Sequence, residues 1–332
     1  MCRTKLSQPK FELPARQVHL DFHTSGLIKG VGTRFSKEDF QQALRAGNVS
    51  SITVFAKCHH GYCYYPTKVG TMHPQLDFDL LGAMLDAAHE IGVKAPIYIT
   101  AGWSALDAQR HPEWWSRRPD GSCSPVEGFD PNAAPEQPKP EASWMNLCLN
   151  DGSYAEHIYA ITREICERYK QVDGLFYDIC FFEESCCCDE CRAGMQAMGL
   201  CPDSEADAKR YFIEKHNCFM ENCRRIVAQT HPNASVFFNG GAEISKPEYH
   251  ANQTHFELED LPTAWGGYDK MPLRAKYFAK TGKQYLGMTG KFHMAWGEFG
   301  GFKAPQALCY EVAAMMAFGA RCSIGDQLHP LG

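Results

Sequence analysis

The chain has 332 residues, of which 44% are apolar, and a formal net charge of −6. This length allows one large α/β domain or two domains. The net charge is mild, and no basic patch is interleaved with aromatic residues. The sequence therefore lacks the usual pattern of a nucleic-acid-binding protein. No apolar run reaches the roughly 20 residues of a membrane helix, and the first 17 residues lack the apolar stretch of a signal peptide. We therefore expect a cytoplasmic protein whose sixteen cysteines are mainly free thiols.

Eight short segments rich in β-branched and aromatic residues recur along the chain, and helical patterns separate most of them. The predicted strands begin at Arg16, Ser50, Lys94, Gly174, Ser235, Thr254, Gln284 and Ala320. Strands that alternate with helices predict parallel βαβ units. Eight units predict a (β/α)8 TIM barrel, with a doubly wound open sheet as the alternative. No G-x-G-x-x-G motif follows the first strand, which weakens a dinucleotide-binding version of that alternative.

Three features depart from a regular barrel. Only the segment GAEISKPEYHANQ separates strands five and six, so we expect the helix there to be short or missing. The chain ends at GDQLHPLG, just after strand eight, which leaves no residues for a regular eighth helix. We therefore expect one catalytic domain over residues 1–332 that is a fragment of a longer chain. The loop from Trp103 to Trp144 is long, which is typical of a lid, a binding loop or a flexible segment.

The active site of a (β/α)8 barrel lies at the carboxyl ends of its strands. Nearly every predicted strand ends in polar, titratable or aromatic residues. In chain order they are His19, Asp21, His23, Lys57, His59, His60, Trp103, Asp178, Asn239, Glu257, Glu259, Lys291, His293, Trp296, Glu298, Asp326 and His329. A single polar residue at a strand end is usually a hydrogen-bond partner of a loop. Polar or aromatic residues at nearly all strand ends instead predict a catalytic pocket.

Asp178 is the strongest single candidate for a catalytic residue, because it follows the apolar residues of a strand and precedes another apolar pair. A carboxylate in such surroundings is desolvated unless it faces a polar cavity. Glycoside hydrolysis uses two carboxylates, and in retaining enzymes one attacks the anomeric carbon while the other protonates the leaving oxygen. We predict Asp178 as the nucleophile, with Glu257, Glu259 and Glu298 as candidate partners.

Several motifs resemble those of the α-L-fucosidases. FAKCHHGYCYYPT is similar to their Lys-His-His-Asp-Gly-Phe segment, with Tyr62 at the aromatic position, and VDGLFYDI is similar to their nucleophile strand. FELEDLPTAWGGY resembles their Trp-Glu-…-Trp-Gly-Tyr segment, although Phe256 replaces the first Trp and an extra glycine precedes Tyr268. This resemblance favours Glu257 over Glu259 as the acid/base, and it implies that His23 binds sugar hydroxyls.

The motifs AKCHHG, HFELEDLP, GMTGKFHMAWGEFGG and SIGDQLHP resemble, in order and spacing, glycoside hydrolase family 151 and the hypothetical glycosyl hydrolase 6 group. The resemblance implies a retaining exo-α-L-fucosidase-like hydrolase with a carbohydrate substrate, such as a fucosylated oligosaccharide, and no catalytic cofactor. Asp178 would be the nucleophile and Glu257 the acid/base, with Glu259 and Glu298 as alternates. The expected sugar pocket consists of His23, Lys57, His59, His60, Trp103, Asn239, His293 and Trp296.

The loop after strand four contains Cys186, Cys188 and Cys191 in a C-x-C-x-x-C pattern. Three thiolates at this spacing can bind one tetrahedral zinc ion if a fourth ligand comes from elsewhere. The candidates for that ligand are Cys148, Cys123 and Cys180. The pattern resembles a structural zinc loop of the family 42 β-galactosidases, and the alternative is a set of reduced, metal-free cysteines.

Three other functions stay open from the sequence. The chain could be a different retaining glycosidase, such as a β-galactosidase-like enzyme. It could be a metal-dependent barrel hydrolase, because the strand-end histidines and Asp21 could gather one or two ions. It could also be a carbohydrate-binding barrel without activity. A homo-oligomer stays open as well.

Overall fold

The computed structural model describes residues 8–123, 145–181 and 185–332. The Pro- and Glu-rich part of the long loop after strand three, residues 130–142, lies outside the described residues, as does Trp144. Eight parallel strands form the central sheet. They are β1 (Arg16–Asp21), β2 (Ser51–Lys57), β3 (Ile97–Thr100), β4 (Gly174–Asp178), β5 (Ser235–Phe238), β6 (Phe256–Glu259), β7 (Tyr285–Gly290) and β8 (Arg321–Gln327). Seven of them lie within segments that the sequence predicts as strands, and β8 extends one residue beyond the predicted segment ARCSIGD, to Gln327.

Within the described residues, eight helices surround or extend from this sheet. They are α1 (Lys37–Ala46), α2 (Leu80–Glu90), α3 (Ala105–Arg110), α4 (Ser153–Arg168), α5 (Asp189–Ala197), α6 (Glu205–Thr230), α7 (Lys270–Phe278) and α8 (Pro305–Ala317). Short 3-10 turns cover Pro112–Trp114, Pro247–Asn252 and Ala279–Thr281, and two-residue strands lie at Tyr62–Cys63 and Thr71–Met72. None of the helices in the described part of the chain has the length and apolar run needed to cross a bilayer.

The strand order is β5-β4-β3-β2-β1-β8-β7-β6, and all neighbours in it are parallel. The Gln253 side chain and a backbone hydrogen bond of Thr254 connect β5 to the segment that leads into β6. The amide group of Gln253 accepts a hydrogen bond from the Phe238 N–H at 2.8 Å and donates to its carbonyl at 2.9 Å. The Thr254 N–H donates to the Val236 carbonyl at 3.1 Å. The buried peptide groups of β5 are thus paired without a regular ladder, and the (β/α)8 prediction is confirmed.

The connection between β5 and β6 contains the 3-10 turn Pro247–Asn252 and no α-helix, although the structure describes all of its residues. This confirms the expectation of a short or missing helix. The Lys283 ammonium group binds the carbonyl groups at the end of this turn. It donates to the carbonyls of His250, Ala251 and Gln253. After β8, residues 328–332 form turns and no helix, as the sequence predicts.

The barrel interior is packed with aromatic rings around His19 of β1. Its imidazole lies edge-on to rings from three other strands, with centroid distances of 5.8 Å to Phe55, 5.9 Å to Tyr98 and 5.2 Å to Phe176. Tyr98 in turn stacks on Phe55 at 3.9 Å. This packing fills the middle of the barrel below the carboxyl ends of the strands, where the active sites of such barrels lie.

Candidate active site

Asp178 is the last residue of β4, and three donors hold its carboxylate. The Tyr98 hydroxyl donates to Oδ2 at 2.5 Å, while Asn239 Nδ2 and the Ile179 N–H each donate to Oδ1 at 2.8 Å. Ile179 has a φ of +58°, which is rare and strained for a β-branched residue. The strained turn directs the Ile179 amide back at the carboxylate. The three donors fix the orientation of the Asp178 carboxylate at the cavity.

Glu259, the last residue of β6, lies beside Asp178. Its carboxylate accepts hydrogen bonds from Trp296 Nε1 at 2.7 Å and from Asn239 Nδ2 at 2.9 Å. Because Asn239 Nδ2 also donates to Asp178 at 2.8 Å, the bonded oxygens of the two carboxylates lie at most 5.7 Å apart, the sum of the two distances. Burial raises the pKa of Glu259, and the negative charge of Asp178 raises it too, against the two hydrogen bonds.

His59 follows β2 and presents a hydrogen-bond acceptor toward Asp178. The Thr100 hydroxyl donates its only proton to the Trp103 carbonyl at 2.8 Å, so it must accept from His59 Nδ1–H at 2.7 Å. Burial lowers the pKa of His59 well below its usual range, so the ring is neutral. Nε2 therefore carries a lone pair, 3.7 Å from Asp178 Oδ2, and can accept a hydrogen bond from a ligand hydroxyl.

His23 and His60 lie next to His59 at the same edge of the cavity. The rings of His23 and His59 stack at 3.8 Å, and the backbone N–H of His59 donates to His23 Nδ1 at 3.1 Å. The Asp21 carboxylate orients the other side of the His23 ring, with Oδ1 2.9 Å from Nε2. Burial lowers the pKa of His60 to about 4, so it is neutral at physiological pH.

Two tryptophans form the aromatic part of the site. Trp103 is almost buried, lies edge-on to His59 at 5.1 Å, and donates from Nε1 to Asn146 Oδ1 at 2.6 Å. Trp296 lies against His19 at 5.4 Å. Gly325 of β8 makes this possible, because a Cβ there would lie 2.3 Å from the Trp296 ring. An indole held in this way offers a flat surface on which a sugar ring can stack.

These side chains surround one cavity of about 980 Å³ at the carboxyl ends of the strands. It brings together nine of the twelve residues that the sequence predicts as catalytic or sugar-binding. They are His23, His59, His60, Trp103, Asp178, Asn239, Glu257, Glu259 and Trp296. The structure adds Tyr98 as a donor to Asp178 and Lys246 and Trp265 as lining residues. Strand alternation in KAPIYIT places Tyr98 on the same face as Thr100 and could have identified it. Trp265 is the tryptophan of the FELEDLPTAWGGY motif, whereas no sequence pattern marks Lys246.

Glu257 shares the inward face of β6 with Glu259 but lies one layer deeper. Its carboxylate is paired with His255 Nε2 at 3.0 Å and accepts from Gln17 Nε2 at 3.3 Å. It is 4% exposed. Glu259, not Glu257, therefore shares a hydrogen-bond donor with Asp178, which differs from the order of preference that the fucosidase motif implies.

Three of the twelve predicted catalytic or sugar-binding residues do not line the cavity among the residues that the structure describes: Lys57, His293 and Glu298. Strand alternation would place Lys57 on the inward face with Phe55, but the pairing of β2 with β3 shifts register between these two residues. Lys57 is instead fully buried, with Nζ 3.0 Å from Asp107 Oδ2. His293 and Glu298 are exposed in the loop after β7. Trp296 belongs to the same loop and does reach the cavity.

The cysteine loop lies behind the cavity wall. The Sγ atoms of Cys148, Cys186, Cys188 and Cys191 all lie within 4.8 Å of one another. Of the three candidates for the fourth ligand, the structure thus brings Cys148 to the loop. Cys123 Sγ accepts from Arg117 instead, and Cys180 Sγ faces the Tyr177 carbonyl.

Two carboxylates that face one cavity at the strand ends of a (β/α)8 barrel are what glycoside hydrolysis requires. A protein-family model described as hypothetical glycosyl hydrolase 6 matches residues 36–179. The match confirms the resemblance to that group. A comparison with curated proteins found no match.

Among solved structures, the chain is similar to α-L-fucosidase isoenzyme 2 from Paenibacillus thiaminolyticus, with a TM-score of 0.88 and 44% identity. The alignment covers 96% of this chain and 47% of that chain, so this chain spans about half the length of that relative. Isoenzyme 1 from the same organism has a TM-score of 0.55 at 14% identity, covering 96% and 68% of the two chains. An α-L-fucosidase from Bacteroides thetaiotaomicron has a TM-score of 0.53 at 11% identity, covering 91% and 57%. The last two matches show the fold alone.

Proposed function

We propose that this barrel is the catalytic domain of a retaining exo-α-L-fucosidase that works by double displacement. The observation that carries the proposal is the Asn239 side chain, which donates to Asp178 and Glu259 from one nitrogen. The resulting upper limit of 5.7 Å between their oxygens suits the carboxylate separation of about 5–5.5 Å in retaining glycosidases. The choice of L-fucose rests on the similarity to the Paenibacillus thiaminolyticus α-L-fucosidase isoenzyme 2.

Asp178 acts as the nucleophile in this proposal. Hydrogen bonds from Tyr98, Ile179 and Asn239 hold its carboxylate in a fixed direction. It attacks the anomeric carbon, the bond to the leaving oxygen breaks, and a fucosyl ester forms on the carboxylate. Water then cleaves this ester and restores the carboxylate, so the sugar leaves with its original anomeric configuration.

Glu259 acts as the acid and then as the base. Burial and the charge of Asp178 raise its pKa, so it keeps a proton to give to the leaving oxygen. Once Asp178 becomes an ester, its negative charge is gone and this contribution to the pKa of Glu259 disappears. Glu259 then more readily accepts the proton of the attacking water. The same pair of residues thus serves both half-reactions.

The neighbouring residues would bind one terminal sugar. His59 Nε2 accepts from a hydroxyl, and the stacked His23 supports that ring. Trp103 and Trp296 line the walls, and the aromatic packing around His19 closes the bottom of the cavity. A cavity closed on the inside and open at the strand ends suits cleavage at the end of a glycan chain.

The test uses Asp178→Ala and Glu259→Ala with an aryl α-L-fucoside and azide. We expect Asp178→Ala to reduce kcat by at least about 10³-fold. Azide should restore turnover in both variants, giving the inverted β-fucosyl azide with Asp178→Ala and the retained α-fucosyl azide with Glu259→Ala. The product anomer therefore assigns the two roles separately.

The exposed Glu298→Ala and the deeper Glu257→Gln are the matched controls, since neither carboxylate shares a donor with Asp178. Near-full activity of Asp178→Ala would overturn the nucleophile assignment. A retained azide product with Glu257→Gln but not with Glu259→Ala would reassign the acid/base. An aryl β-galactoside cleaved in place of the fucoside would reject the proposed substrate.

A metal-dependent hydrolase is less well supported. Within the described ranges, the residues with metal-ligand geometry are the four clustered cysteines and not the histidines at the strand ends. His23 and His59 are instead engaged with Asp21, with Thr100 and with each other. This favours carboxylate chemistry in the cavity.

A further inference from the structure

Four cysteines from two separate loops meet behind the cavity wall. Cys148 precedes α4, whereas Cys186, Cys188 and Cys191 lie at the start of α5. All four are buried, and their Sγ atoms lie within 4.8 Å of one another. A zinc ion with sulfur ligands at about 2.3 Å holds tetrahedral sulfurs about 3.8 Å apart, and Cys148 and Cys191 Sγ lie 3.5 Å apart.

Two hydrogen-bond donors point at sulfur atoms of this group. The Cys188 N–H points at Cys186 Sγ at 3.4 Å, and Asn150 Nδ2 points at Cys191 Sγ at 3.3 Å. Cys188 is the residue directly before the nine-residue helix α5, and its side chain makes no capping hydrogen bond there. Donors directed at a sulfur atom help to orient it as a metal ligand.

We propose that Cys148, Cys186, Cys188 and Cys191 bind one structural Zn²⁺ ion. Each thiol loses its proton to solvent on binding, so four protons leave and four Zn–S bonds form with no change in oxidation state. Four sulfur ligands leave no open position for water, so the ion takes no part in hydrolysis.

The ion would tie together the two loops that carry the cavity wall. On one side, Asn146 accepts from Trp103 and the Leu147 N–H donates to the Gly102 carbonyl, just before Cys148. On the other side, the cysteine loop follows Asp178 and Ile179. Binding would thus hold Trp103 and the end of β4 at a constant separation. This role is independent of which glycoside the barrel cleaves.

Cys187 provides a matched control because it is buried in the same loop but lies outside the four-sulfur group. Its Sγ faces the Pro202 carbonyl at 3.9 Å. The experiment measures metal by plasma mass spectrometry in the purified chain after dialysis against a chelator. We expect about one zinc per chain in the wild type and in Cys187→Ser, and loss of that zinc in Cys188→Ser.

A second measurement covers the case in which Cys188→Ser does not fold. Wild-type chain produced in cobalt-supplemented medium should show the sulfur-to-cobalt absorption of a tetrahedral thiolate site, and zinc edge absorption should give four sulfur neighbours. A wild type with four mercurial-reactive thiols and no metal would overturn the proposal. So would bound iron in place of zinc, a disulfide within the group, or equal zinc loss in Cys187→Ser.

Discussion

Replacing Asn239 with alanine removes the one side-chain nitrogen that donates to both carboxylates, at 2.8 Å to Asp178 and 2.9 Å to Glu259. A hydrogen bond to a charged group contributes about 1.5–3 kcal/mol. The Ile179 amide and the Tyr98 hydroxyl still hold Asp178 in the variant. We therefore expect the loss of a single charge-assisted interaction, which lowers kcat/KM for an aryl α-L-fucoside by about 10- to 150-fold.

The same substitution should move the alkaline limb of the pH profile. The hydrogen bond from Asn239 lowers the pKa of Glu259, against the rise that burial causes. Removing this bond raises that pKa, so Glu259 stays protonated to higher pH. In the proposed mechanism Glu259 must be protonated to release the leaving group, so the alkaline limb of kcat/KM moves to higher pH.

The assay is kcat/KM for the aryl fucoside across the pH range, with thermal unfolding to check that the variant is folded. Asn222→Ala is the control, because Asn222 donates to Asp151 at 3.0 Å and is outside the cavity lining. A variant of Asn239 with kcat/KM within about threefold of wild type and an unmoved alkaline limb would refute the shared-donor reasoning.

Two further substitutions test the scaffold. Gln253→Ala leaves the Phe238 N–H and carbonyl unpaired at the β5–β6 seam, so the free energy of unfolding in urea should fall by about 2–4 kcal/mol; an unchanged midpoint would contradict this. Lys57→Met leaves Asp107 buried without its cation and should destabilise the fold by about 3–5 kcal/mol while KM for the fucoside stays unchanged. A raised KM with normal stability would instead support the sugar-binding role that the motif predicts.

The barrel itself could be predicted because hydrophobic periodicity is local. Every strand from β1 to β8 lies where an apolar segment predicts it, and the position of Asp178 at the end of β4 follows from that placement. The missing helix between β5 and β6 could be predicted from the length of the connection. The closure of the seam by the Gln253 side chain could not, because nothing local distinguishes it from an exposed loop glutamine.

Local sequence patterns could not determine which of the two glutamates of β6 lies beside Asp178. Alternation places Glu257 and Glu259 on the same face, but the depth of each in the barrel depends on how β6 is staggered against its neighbours. Lys57 illustrates the same limit, since one register shift between Phe55 and Lys57 turns its side chain out of the cavity.

The sequence by itself determined the fold class, the strand-end ring of polar residues and the C-x-C-x-x-C pattern, because each depends on residues that are close in the chain. Tertiary structure alone decided which side chains meet. It brought Glu259 to Asp178 through Asn239, across strands β4, β5 and β6. It also selected Cys148 over Cys123 and Cys180 as the neighbour of the cysteine loop. These contacts depend on stagger, register and loop path, which long-range packing determines and no short segment records.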